Sequence, residues 1–364
     1  MLKNTRRLLI CFFPLCSFYP FSGFSVAQDS AASRNVILFI GDGMGLSHIY
    51  AAYTVNKGNL NLMKFPTTGF SMTWSASGYI TDSGAGATAI SCGKKTFNGA
   101  IGVDNDSIPC KTILEYAEEN GLSTGLISTS AITHATPASF IAHQKDRNRY
   151  EDIALDFLKT DIDVFIGGGG HYFVKRSDSV DLVKKLKAKG YEVFLYPPSI
   201  RIDNSVKAAV FTAPVHNPRV SAGRGDMLSD ATKQAIELLH KNKRGFFLMV
   251  EGSQIDWGAH NNDIRYVVEE VTDMDNAIGK ALAFAEQDGN TLVVVTADHE
   301  TGGLVILDGN LKAGTVEAKF STMDHTGIMV PVFAYGPGAQ DFSGTYENTS
   351  LFLKMMRFYN FTQP

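Results

Sequence analysis

The chain has 364 residues, with 33 Lys and Arg against 37 Asp and Glu, and 44% of it is hydrophobic. That balance excludes a disordered or collagen-like chain, and four cysteines are too few for a disulfide scaffold. A net charge of −4 gives no support for a nucleic-acid partner, which needs a basic face.

Lys3, Arg6 and Arg7 precede an apolar run from Leu8 to Phe21, and Ser25-Val26-Ala27 then supplies small residues. This layout predicts a secretory signal peptide over residues 1–27, cleaved before Gln28. The run contains Pro14 and Pro20 and is short for a membrane span, which needs about 20 residues. No later stretch is long and apolar enough to span, so an exported protein without a membrane anchor is expected, periplasmic or secreted. Loss of three basic residues shifts the charge from −4 to −7 and leaves Cys92 and Cys110. An oxidising compartment permits a disulfide between them, but spacing does not determine it.

Residues 28–364 read as one domain. Val36-Ile37-Leu38-Phe39-Ile40 predicts a buried strand, as do 163–166, 245–250, 291–296 and 330–334. Lys111 to Asn120, Leu228 to His240 and Ile264 to Glu286 have helical periodicity. Apolar runs without polar alternation, separated by helices, predict parallel strands covered on both faces. The fold class is α/β, with a central mostly parallel sheet sandwiched between helices.

In such sheets ligands bind beyond the carboxyl ends of strands. Asp42 follows the first strand. Glu251, Asp256 and His260 follow the run 245–250, Asp298 and His299 follow 291–296, and His325 precedes 330–334. One carboxylate after a strand is often only a helix cap. Several converging on one edge would repel unless cations held them, and carboxylates with imidazoles suit divalent metals. Asp256 and His260 are four apart and share a helix face. Thr81-Asp82-Ser83-Gly84-Ala85-Gly86 places a serine hydroxyl at the start of a small-residue helix, a position that favours anions. Its two glycines would be costly without a packing reason. Thr136 as N-cap and Pro137 at N1 predict another helix start, after His134. Arg147 and Arg149 are competing candidates for an anion-binding fork. Asp273 and Asp275, inside a long helix, are expected to face solvent, and Gly167 to Gly170 to form a tightly packed turn.

The segments VILFIGDGMG, TDSGAGATAISCGKKTFNGAIGV, ITHATPASFIAHQKDR, VEGSQIDWGAH, TADHETGG and DHTGIMVPVFAYGPG, in this order, resemble the alkaline phosphatase family, especially its small bacterial members. The resemblance covers about residues 35–337. It implies metal-dependent hydrolysis of a broad range of phosphate monoesters through a phosphoserine intermediate, in a homodimer. It places Ser83 on the nucleophile and Arg147, not Arg149, on the phosphate-binding arginine. It implies two Zn2+ and one Mg2+ per chain: Asp256, His260 and His325 on the first zinc, Asp42, Asp298 and His299 on the second, and Asp42, Thr136 and Glu251 on magnesium. His134 and Trp257 stand near the third metal where one bacterial branch has Asp and Lys, which alters the expected metal preference. The 25 residues between His299 and His325 leave no room for the long insertion of larger relatives. A diesterase or sulfatase on the same scaffold is disfavoured by Ser83 and Arg147. A non-catalytic exported metal- or phosphate-binding protein is disfavoured because every matched position holds a competent residue.

Overall fold

A computed structural model describes residues 34–362 except 203; the predicted signal peptide lies outside the described residues. Fourteen strands alternate with helices along this span. They are β1 (Arg34–Gly41), β2 (Thr67–Met72), β3 (Ser123–Ala131), β4 (Val164–Gly168), β5 (Tyr191–Leu195), β6 (Lys207–Phe211), β7 (Gly245–Gly252) and β8 (Thr291–Thr296), then β9 (Glu300–Thr301), β10 (Leu304–Asn310), β11 (Thr315–Phe320), β12 (His325–Thr326), β13 (Val330–Tyr335) and β14 (Gly344–Glu347). Ten of them form one sheet in the order β14-β2-β13-β8-β1-β7-β3-β4-β6-β5.

The central strands are buried on both faces, as their unbroken apolar runs predict. Along β1 the side chains alternate between two cores. Val36, Leu38 and Ile40 pack with Ile90, Leu114 and Met355 from the helices Ser83–Cys92, Ile113–Glu119 and Thr349–Tyr359. Ile37 and Phe39 pack on the other side with Leu239 and Ile278, from Met227–Leu239 and Ile264–Asp288. The period of two therefore builds the sandwich.

β13 runs antiparallel to β8 and β2, unlike the other pairings in the large sheet. This departs from the parallel neighbours expected from the sequence. Its consequence is positional: an antiparallel strand starts at the edge where its neighbours end, so His325, just before β13, reaches the edge occupied by Asp298. Several strands escape the apolar-run criterion, β2 and β3 among them. β3 ends in Ser128-Thr129-Ser130, all fully buried, and β2 is short and half-buried.

Two local expectations are corrected and a third agrees. Asp273 and Asp275 are buried, not solvent-facing. Asp273 and Glu270 both pair with the buried Arg224, while Asp275 accepts hydrogen bonds from Asn61 N and Leu62 N at 2.8 and 2.9 Å. The helix at Ala135–Ala138 is a single turn with His134, not Thr136, at its N-cap, so Arg147 lies on the irregular segment beyond it. Gly167–Gly170 is indeed a close approach, because a Cβ at Gly168 would meet Val215 O at 2.2 Å.

Candidate metal centre and adjoining anion site

The parallel register brings the strand ends level. Ile40 pairs with Glu251 and with Thr296 on its two sides, and Ser128 pairs with Glu251. Asp42, Glu251 and Asp298 therefore leave their strands at one height. Asp42, Asp298 and His299 approach closely enough to share an ion, as do Asp256, His299 and His325. His260 joins the latter group: its Nε2 lies 3.2 Å from His325 Nε2 and 3.3 Å from Asp256 Oδ1. Asp42, His134 and Glu251 approach closely enough to form a third cluster, in which a ring nitrogen of His134 is within reach. Thr136 is fully buried, and its Oγ1 has no hydrogen-bond partner among the described residues; burial raises Glu251 above the usual carboxylate range, against the hydrogen bonds it accepts from Ser128 and Ser253.

The electrostatics call for cations. Asp42 is held well above the usual carboxylate range by burial, then by the neighbouring Asp298, Asp256 and Glu251 charges. Burial pushes Asp298 up to about 8. His299 is driven well below its ordinary value by burial and the nearby His325, so its ring is neutral and a competent ligand. Both oxygens of Asp42, Oδ2 of Asp298, Oε1 of Glu251 and Nδ1 of His134 are buried without a hydrogen-bond partner among the described residues. Such orphaned acceptors are costly unless metals ligate them. Hard oxygens with neutral imidazoles fit zinc, and the more oxygen-rich third cluster also fits magnesium.

Backbone carbonyls orient two of the histidines. His260 Nδ1 donates to Met323 O at 2.5 Å and His325 Nδ1 to Thr81 O at 2.9 Å, turning both Nε2 atoms toward Asp256.

Ser83 begins the helix Ser83–Cys92, with Asp82 as its N-cap. Asp82 Oδ1 accepts from Ala85 N at 2.9 Å, which satisfies one free donor of the helix end. The glycines have the packing reason that the sequence demanded. A Cβ at Gly86 would stand 2.9 Å from Asp298 O, and one at Gly84 2.7 Å from Ala100 O. The helix can thus press against the loop after β8, and Ser83 Oγ comes to 3.3 Å from His299 Nε2. Arg147 Nη1 donates to Asp82 Oδ2 at 2.9 Å, whereas Arg149 is exposed and pairs with Asp152. The backbone of Arg147 is tied to the segment 93–102, whose Gly99 O accepts from Arg147 N at 2.7 Å.

Sequence reasoning missed several residues around these groups. Ser128 and Ser253 donate to Glu251 Oε2 at 2.5 and 2.6 Å, and Ser130 bonds to Ser128. The signal was present as a cluster of small hydroxyl residues ending an apolar stretch. His216 meets His134 edge-on with ring centroids 5.7 Å apart, as does the expected Trp257 at 6.1 Å. His216 is distant in sequence from every motif and carries no such signal.

The sequence profile of the alkaline phosphatase family matches residues 33–319. Alkaline phosphatase 4 of Bacillus subtilis is 36% identical, covering 88% of each chain, and the Escherichia coli alkaline phosphatase is 32% identical over 89% of this chain and 85% of its own. Among solved structures, the alkaline phosphatase of the Antarctic bacterium TAB5 superposes with a TM-score of 0.86 at 44% identity, covering 91% of this chain and 99% of its own. That of a psychrophilic Shewanella gives 0.81 at 32% identity, over 89% and 99%. The chain belongs to the alkaline phosphatase family.

Proposed function

We propose that this chain is an exported enzyme that hydrolyses a broad range of phosphate monoesters through a phosphoserine formed on Ser83. The observation that carries the reading is the placement of Ser83 Oγ, at a helix N-terminus, 3.3 Å from His299 Nε2 and within the turn capped by the Asp82–Arg147 pair. Membership of the alkaline phosphatase family supports the hydrolysis of phosphate monoesters.

Asp256, His260 and His325 would hold one zinc, Asp42, Asp298 and His299 a second, and Asp42, Thr136 and Glu251 a magnesium, with His134 beside it. Bound there, the metals would supply Lewis acidity toward the serine, the phosphoryl oxygens and the leaving oxygen. Magnesium is bound in the M3 site of two TAB5 variants in which a histidine is replaced by Glu or Asp. By analogy the third cluster here takes magnesium, its affinity lowered by a neutral histidine.

The chain's own residues do the positioning. Ser83 Oγ presents an attacking oxygen along a helix axis whose free N–H groups favour the incoming anion. Arg147 offers two parallel N–H donors to non-bridging oxygens, and Asp82 keeps the guanidinium aimed. Because a monoester carries more charge on those oxygens than a diester, the fork favours monoesters. Ser128 and Ser253 hold one oxygen of Glu251, which leaves the other to face the third cluster. Residues 1–27 act as the export signal, 28–364 as a single catalytic domain, and two chains assemble as a homodimer.

Acid-quenching the enzyme during turnover of p-nitrophenyl phosphate should leave phosphate on the peptide that contains Ser83. Ser83→Ala should lack that adduct and lose about a thousandfold or more in kcat. A trapped phosphate on any other residue, or a Ser83→Ala enzyme at full rate, refutes the reading.

A further inference from the structure

Thr301 is fully buried on β9, two residues after His299. Its Oγ1 lies 2.5 Å from Asp256 Oδ1 and 3.2 Å from His299 Nδ1. A hydroxyl has one proton to give and lone pairs to receive. Asp256, as a carboxylate, can only accept, so the Thr301 proton goes to Asp256. Toward His299 the same oxygen must then accept, which places the imidazole proton on Nδ1. The lone pair is left on Nε2, the atom that faces Ser83 Oγ at 3.3 Å and Asp42 Oδ1 at 3.4 Å.

His260 and His325 are oriented by backbone carbonyls, whereas His299 Nδ1 meets the side chain of Thr301. The threonine is itself fixed from behind. Thr301 N donates to Gly43 O at 3.1 Å, and a Cβ on Gly43 would stand 2.6 Å from Thr301 Oγ1. Gly43 adopts φ +69, so both its conformation and its missing side chain make room for this hydroxyl.

We infer that Thr301 is a positioning residue that couples the two zinc clusters, holding Asp256 of one by its donor and His299 of the other by its acceptor. The inference deepens the functional reading and rests on it. Thr301 meets His299 at the ring atom away from Ser83 and Asp256 at the oxygen that His260 and His325 also face, and side chains that hydrogen-bond metal ligands are worth about ten- to a hundredfold in metal affinity. Here one hydroxyl serves ligands of both ions, so its loss should loosen both together.

Thr301→Val removes the hydroxyl at nearly constant shape, and Thr301→Ser keeps it. Wild type and both variants, loaded with zinc, are equilibrated against a graded chelator series, with zinc per chain measured by elemental analysis. The melting temperature of each metal-free protein is recorded beside it. Thr301→Val should release zinc at a free-zinc level about ten- to a hundredfold higher than wild type. Thr301→Ser should follow wild type, and the three metal-free proteins should melt together. Wild-type retention by Thr301→Val overturns the inference. So does equal loss in Thr301→Ser, or a zinc loss that merely tracks lower metal-free stability, since packing would then be responsible. A wild-type protein that binds no zinc refutes the functional reading itself and is visible without either variant.

Discussion

Asp82 Oδ2 accepts a hydrogen bond from Arg147 Nη1 at 2.9 Å while Asp82 Oδ1 caps the helix that Ser83 begins. One carboxylate thus sets both the entry of that helix and the aim of the guanidinium, and Oδ2 also accepts from Gly99 N at 2.9 Å.

Arg147→Ala should raise KM for a monoester and weaken inhibition by inorganic phosphate by about tenfold or more, because a charge-assisted pair of hydrogen bonds is removed. Diester hydrolysis should change less. Asp82→Ala should act in the same direction and also lower stability by about 1 kcal/mol through the lost cap. Steady-state kinetics on both ester classes decide it, and equal losses on monoester and diester would contradict the role given to Arg147.

Metal removal should reverse the pH dependence of stability. In the metal-free protein, a hydrogen bond to Asp256 raises His260 to about 9, and burial raises Asp298 to about 8. Their ordinary values are 6.5 and 3.8, so both retain in the folded state a proton that the unfolded chain has released. The His260 contribution is complete below its ordinary value and lost as pH rises through about 9. Folding likewise becomes less favourable as pH climbs from the ordinary value of Asp298 toward about 8. Buried His48, His134 and His299 are held below 6.5 and contribute in the opposite sense at lower pH, so metal-free protein should melt lower with each step from pH 6.5 to about 9. Zinc requires the deprotonated forms, so loaded protein should hold or gain stability over the same steps. Melting curves with and without chelator test this, and parallel pH profiles would exclude it.

His134→Asp places a carboxylate in the cluster with Asp42 and Glu251 and should strengthen magnesium binding and raise its occupancy. Trp257→Lys brings a cation beside His134, where the indole now packs edge-on, and should slow or hasten phosphate release through its charge. Elemental analysis and product-inhibition kinetics provide the readout. Unchanged metal content and kinetics in both variants would show that these two positions do not tune the third site.

Arg224→Ala should destabilise the fold by about 3–5 kcal/mol, because it strands the buried Glu270 and Asp273 without a counter-charge. Denaturant melts of the loaded enzyme measure the loss. At temperatures where the variant stays folded, kcat should match wild type, since none of the three residues belongs to the metal clusters.

The primary structure by itself determined the strand-forming runs, the helices between them and the chemistry at the strand ends. Apolar period and Gly or Asp punctuation are local properties, and β1, β7 and β8 announce themselves by an unbroken run that stops at a carboxylate. The order of the motifs along the chain also singled out Ser83 and Asp298 as candidates for more than helix capping. Three decisions needed the tertiary structure. The reversed direction of β13, which carries His325 to the same edge as Asp298, depends on strand pairing and not on the composition of the strand. The pairing of Arg147 with Asp82, while Arg149 is left exposed beside Asp152, depends on a backbone contact of Arg147 with Gly99, far away in sequence. Buried polar partners stayed hidden for the same reason. Asp273 looks solvent-facing until Arg224 is brought against it, and Thr301 looks like any strand threonine until Asp256 and His299 close on its hydroxyl. A polar side chain is buried at tolerable cost only where a partner meets it, and that partner is supplied by the fold.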